Sequence, residues 1–129
     1  MSEGYVYILR DHLNNNLIKV GLSKDPISRR QQLYNTSTAL PMTLYHLWKV
    51  NDMRHAEKIA HIRLEEHRVN PRREFFEIAP LPHFSDFERT DYDISCIYLD
   101  ALIELIENDF EYCEISYQRI NSIEELKNF

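Results

Sequence analysis

The chain has 129 residues, 43% of them hydrophobic and 28% charged, and a formal net charge of −6. That length allows one compact domain with a real core, and that composition excludes a disordered chain. Taken whole, the net negative charge argues against a protein that coats nucleic acid non-specifically. The charge is unevenly spread: residues 1–78 hold 12 Lys and Arg against 9 Asp and Glu, and residues 79–129 hold 3 against 12. A mildly basic front is joined to a strongly acidic back.

In chain order, Gly4 to Arg10 (GYVYILR) is rich in β-branched and aromatic residues and predicts a buried strand. Asn14, Asn15 and Asn16 predict a turn, because Asn tolerates positive φ. Leu17 to Gly21 predicts a second strand that closes a hairpin with the first. Asp25 as N-cap and Pro26 at the first helical position predict a helix to about Tyr34. A polar stretch from Asn35 to Pro41 precedes a third strand, Thr43 to Val50. Asn51 and Asp52 cap a second helix from about Met53 to Arg68. Pro71 ends it, and Arg73 to Ile78 reads as a short extended segment. Ala79 to Asp91, with two prolines, reads as a linker or wrap-around loop. Tyr98 to Phe110 has helical periodicity, with Leu99, Leu102, Ile103 and Ile106 on one face. Tyr112 to Ile120 reads as a strand or an irregular arm. Ser122, with Glu125 three residues on, predicts a capped final helix.

The apolar runs are too short to span a bilayer, and the start shows no basic segment followed by a cleavage site. The expectation is a cytoplasmic protein without membrane contact. Cys96 and Cys113 have no metal-type spacing and are read as reduced and structural.

Three groups of residues could carry chemistry. On the second helix, Met53, Ala56, Ile59, Ala60, Leu64 and His67 share an apolar arc. Glu57 sits at its edge, with His61 one turn further on the same side. Glu57 is either a solvated carboxylate or an oxygen ligand for a hard cation. In the hairpin, Tyr5 and Tyr7 point to one face of their strand. Lys19 is either a solvated lysine or a cation that stabilises a phenolate or holds a phosphate. Arg29 and Arg30 are adjacent on the first helix, where one of them could grip a phosphate in a bidentate fork.

The order of these segments resembles the GIY-YIG nuclease superfamily over about residues 4–78. Tyr5-Val6-Tyr7 stands where that family has its first motif. Lys19-Val20-Gly21 stands where it has the second, in the branch of small phage and bacterial domains that read K-[IV]-G. Gly21 to Asp25 leads into a helix bearing Arg29. Ala56-Glu57 with His61 matches the helical Glu, and Arg73-Glu74-Phe75-Phe76 matches a closing strand. The resemblance implies an α+β fold: a small three-stranded antiparallel sheet flanked by helices, followed by a C-terminal helical extension. It divides the chain into a nuclease domain over residues 1–80 and an acidic extension over residues 81–129. The extension's apolar face would pack on that domain or on the same helix of a second copy, giving a homodimer.

It also implies a metal-dependent endonuclease that hydrolyses phosphodiester bonds of DNA, with RNA not excluded. Tyr7 would act as general base or orient the attacking water. Lys19 would help ionise it, and Arg29 would bind the scissile phosphate. Glu57 would be the protein ligand of one Mg²⁺ or Mn²⁺ ion. Tyr5, His61 and Glu74 would support these residues. The alternative is a catalytically silent module that keeps the fold and binds nucleic acid or protein.

Overall fold

The computed structural model describes residues 2–11, 17–25, 42–69, 75–78 and 92–120. The expected turn at Asn14 to Asn16, the helix from Pro26 to Tyr34, the loop from Ala79 to Asp91 and the final helix after Ser122 lie outside these residues. So do Arg29, Arg30 and Glu74.

Strands β1 (Gly4–Asp11), β2 (Leu17–Ser23) and β3 (Met42–Val50) follow in chain order, then helix α1 (Met53–Arg63) and a 3₁₀ turn at Glu65–His67. Strand β4 (Phe75–Glu77), helix α2 (Tyr92–Tyr112) and strand β5 (Tyr117–Arg119) complete the described chain. The strands form one antiparallel sheet in the order β4-β2-β1-β3-β5. The α+β class and the antiparallel hairpin are as the sequence reads. The sheet has five strands rather than three, because β4 adds to β2 and β5 adds to β3.

Both added strands are three residues long, too short for periodicity to reveal. Tertiary contacts hold them. Phe76 of β4 is fully buried, and the Val69 N–H bonds the Phe75 carbonyl at 3.1 Å. Arg119 of β5 forms a two-pronged ion pair with Glu107 of α2, at 2.6 and 2.5 Å. A β-bulge near Leu9 lets Tyr45 join the helix side of the sheet, where its hydroxyl donates to Asp100 at 2.7 Å.

Every residue of β1 is buried, as a central strand covered on both faces requires. Val6, Ile8, Ile18, Val20, Trp48 and Val50 face the helices. There they meet Met53, Ala56, Ile59 and Ala60 of α1 and Leu99, Ile103, Ile106 and Phe110 of α2. Tyr5, Tyr7, Leu9 and Leu47 gather on the opposite face, with Ile120 beside them. Asp52 caps α1 by accepting the His55 N–H. Helix α1 stops at Arg63, earlier than its pattern suggests, and the 3₁₀ turn aims His67 Nδ1 at the Glu77 carbonyl, 2.9 Å away.

Helix α2 is longer than its predicted span and ends at Tyr112. The Ile115 N–H bonds the Phe110 carbonyl and the Glu114 N–H bonds the Glu111 carbonyl, with Glu114 at φ 60. This is a Schellman ending in which Glu stands where glycine is usual. Its apolar pair, Phe110 and Ile115, is in the core. Several carboxylates of α2 serve as fasteners. Asp109 takes both prongs of Arg63 at 2.7 Å, which holds its pKa below the usual carboxylate value. Arg10 reaches the Ser95 hydroxyl and lies 3.1 Å from Cys96 Sγ. Both cysteines are free thiols. No helix among the described residues is long and apolar enough to cross a membrane.

The joint between α2 and the sheet makes a testable prediction about acid stability. Burial, and then Arg119, push His46 from 6.5 down to about 4, against the opposing pull of Glu107 and Asp100. Its Nε2 is buried without a hydrogen-bond partner and lies 4.0 Å from Glu107. The ring is therefore neutral at pH 7, and that contact is not an ion pair. A folded pKa below the unfolded one adds stability that is complete above about pH 6.5 and is lost as pH falls toward 4. Stability should drop by on the order of 2–3 kcal/mol across that window. Glu107 and Asp109, both held below their ordinary values, add losses that begin as pH enters the ordinary carboxylate range and deepen below it. Thermal unfolding at stepped pH should show the slope, and His46→Gln should flatten it. An unchanged slope in the variant assigns the acid sensitivity elsewhere.

Candidate functional site

Tyr7 and Gly21 are direct partners across β1 and β2, so they share one sheet face. Glycine is required at that point of β2. A Cβ built on Gly21 would overlap Oη and Cζ of Tyr7. The phenol thus lies flat across the middle of the neighbouring strand, and the ring is only 4% exposed. Tyr5 pairs with Ser23 on the same face, and the Ser23 hydroxyl accepts the Asp25 N–H at 3.0 Å.

Lys19 also lies on this face, half-buried, but its direct partner is Leu9. It is therefore diagonal to Tyr7, about 7–8 Å away between strand positions. On its other side Lys19 pairs with Phe75, and Nζ sits 5.8 Å from that ring's centre.

Helix α1 lies on the other face of the sheet, yet it reaches the same place. Among the described residues, strand β4 pairs with β2 over Leu17–Lys19. The next residue, Val20, has its carbonyl 3.0 Å from Nε2 of His61. The His61 ring also stands edge-on to Phe76, with centres 5.3 Å apart. Tyr7 and His61 therefore approach one peptide unit, Val20–Gly21, from different elements. Glu57, half-buried, is one helical turn before His61 on the same side of α1.

The structure thus gathers Tyr5, Tyr7 and Lys19 on one sheet face around Gly21. It brings His61, and with it the turn that carries Glu57, to the same segment of β2. Among the described residues no cluster of three or more His, Cys, Asp or Glu side chains forms a metal cage. A hard cation held by one carboxylate needs no such cage, because Mg²⁺ keeps most of its waters. Helix α2, with its acidic residues, packs on the face opposite Tyr7 and Lys19.

Sequence reasoning passed over Gly21 as more than a motif letter, and did not find the His61–Val20 contact. A signal for the first was present: glycine inside a strand marks a close approach of another group. The second had none, since a side chain bonded to a distant carbonyl leaves no periodic trace.

A family model described as the T5orf172 domain matches residues 4–97. No curated protein matches the chain, and no solved structure does. The match corrects the resemblance to the GIY-YIG superfamily, since the family found is a different one. The physical reason lies in the hairpin. Buried strands of this kind need Val, Ile and Tyr, and a phenol lying over the neighbouring strand needs glycine there. Such short motifs report packing and do not discriminate between families. The T5orf172 domain is phage-associated and is often related to nucleases or DNA binding.

Proposed function

The chain belongs to the T5orf172 domain family, and on that premise we propose that it is an endonuclease that hydrolyses DNA phosphodiester bonds with one divalent metal ion. One observation carries the reading: Tyr7 and the α1 turn bearing Glu57 and His61 converge on the Val20–Gly21 peptide. A phenol, a lysine and a half-buried carboxylate on elements that meet at one segment of β2 can supply the water-orienting, phosphate-binding and metal-binding groups that phosphodiester hydrolysis uses.

In the proposed chemistry, Tyr7 orients the attacking water and takes its proton. A phenol with an ordinary pKa of about 10 is a poor base at neutral pH, so it needs cations nearby. Lys19 supplies one, and Arg29 is proposed as another. Because Tyr7 is buried, water screens these charges weakly. Water's oxygen bonds to phosphorus as the bond to the 3′ oxygen breaks. Arg29 binds the scissile phosphate and offsets the charge that builds on it. Glu57 would hold the ion, which when bound neutralises the phosphate and the leaving oxygen. Tyr5 and Glu74 are assigned supporting roles around these groups.

The test is nicking of supercoiled plasmid with Mg²⁺, Mn²⁺ or EDTA. Metal-dependent nicking that EDTA abolishes is expected; a chain that binds plasmid but never cuts would favour a silent binding module. Arg29→Ala should lose roughly 10²-fold or more, and Arg30→Ala should keep its activity. Adjacent residues of a helix point about 100° apart, so on the helix that the sequence predicts there only one of the two can serve. The opposite result would shift the assignment by one residue.

A further inference from the structure

The contact that pins α1 to the sheet leaves a nitrogen unaccounted for. A carbonyl oxygen can only accept, so the His61 Nε2 that lies 3.0 Å from the Val20 carbonyl carries the hydrogen. In the neutral ring the other nitrogen, Nδ1, then keeps its lone pair. Histidines that bind metals are commonly fixed in this way, with one ring N–H donated to a backbone carbonyl and the second nitrogen on the ion. The edge-on packing against Phe76 holds the ring plane as well. Side chains on a helix lean toward its N-terminus, which carries the His61 ring back over the turn bearing Glu57.

We propose that His61 Nδ1 is a second protein ligand, beside the Glu57 carboxylate, for a divalent cation of the Mn²⁺ or Co²⁺ type. The inference rests on the reading of Glu57 as a metal ligand and goes beyond it by naming the donor set and the ion it prefers. One carboxylate alone suits Mg²⁺. An imidazole nitrogen added to it favours the transition metals, whose affinity for nitrogen donors rises along the series from Mn²⁺. Two ligands from adjacent turns of one helix leave the remaining positions to water and phosphate oxygens.

His67 makes the test clean. Its Nδ1 donates to the Glu77 carbonyl at 2.9 Å, so the end of α1 is tied to β4 independently of His61. His61→Gln can still donate to Val20 through its amide, and it lacks the basic nitrogen. Binding of Mn²⁺ to the full chain would be followed by EPR, with Mg²⁺ as competitor, for wild type, Glu57→Gln and His61→Gln. Thermal unfolding would be run on each. His61→Gln should weaken Mn²⁺ by about tenfold or more and leave Mg²⁺ nearly unchanged. Glu57→Gln should weaken both.

Pulsed EPR of wild type with Mn²⁺ needs no variant and should show coupling to an imidazole nitrogen that His61→Gln removes. Wild-type Mn²⁺ affinity in His61→Gln, or a bound ion without nitrogen coupling, overturns the proposal and leaves the role of Glu57 standing. No metal binding by wild type overturns both. Nitrogen-coupled binding in a chain that cuts no DNA overturns the nuclease reading alone.

Discussion

Glu57→Gln should abolish DNA nicking while the protein stays folded. The amide keeps the shape of the carboxylate and loses its charge, so a hard cation loses its anionic ligand. Glu57 is half-buried at the margin of α1, and the helix is secured by neighbours the change does not touch: Met53, Ala56, Ile59 and Ala60 in the core, and the Asp52 cap. Unfolding temperature should therefore shift little, while cutting falls to the EDTA background, a loss of at least roughly 10²-fold. Parallel assays of nicking rate and thermal unfolding decide it. A variant that nicks at the wild-type rate removes Glu57 from the mechanism, and one that unfolds assigns it a structural role instead.

Gly21→Ala should damage fold and activity together. The added methyl would occupy the space of the Tyr7 hydroxyl and the ring carbon that bears it. Neither partner can yield cheaply, because Tyr7 sits in the central strand and is almost wholly buried. Overpacking of this kind costs about 3 kcal/mol or somewhat more. The ring must swing away from Val20–Gly21, so the proposed water-orienting group leaves the site. Tyr7→Val should relieve the clash. Stability of the double variant Tyr7→Val with Gly21→Ala should then exceed the additive expectation by about 1 kcal/mol or more. Strict additivity in denaturant unfolding would mean that the phenol does not rest on Gly21 in solution.

The elements that read well from the sequence are those whose burial leaves a long repeat. Strand β1 is apolar or aromatic along its whole length, and α1 shows a helical arc of Met53, Ala56, Ile59 and Ala60. The hydrophobic effect writes such patterns directly, since each repeat position must meet the core. Strand β4 falls in a stretch that reads by itself as a short extended segment, and β5 in one that reads as a strand or an irregular arm, because three residues carry no period. Their places come from partners far away in the chain: Leu17–Lys19 for β4, and Trp48–Val50 with Glu107 for β5.

The candidate site divides in the same way. Residue types and spacing were enough to single out Tyr7, Lys19, Glu57 and His61. They were not enough to name the family, because a phenol over a glycine in a buried hairpin needs the same few letters in any family. By itself the sequence determined the β1–β2 hairpin, the helix bearing Glu57 and the apolar face of the acidic helix. Local propensity and periodicity suffice for these. Only the tertiary structure decided that His61 takes the Val20 carbonyl and that α2 packs on the face away from Tyr7. Those outcomes depend on which distant backbone groups and apolar faces meet once the sheet has formed, and no local stretch of sequence contains that information.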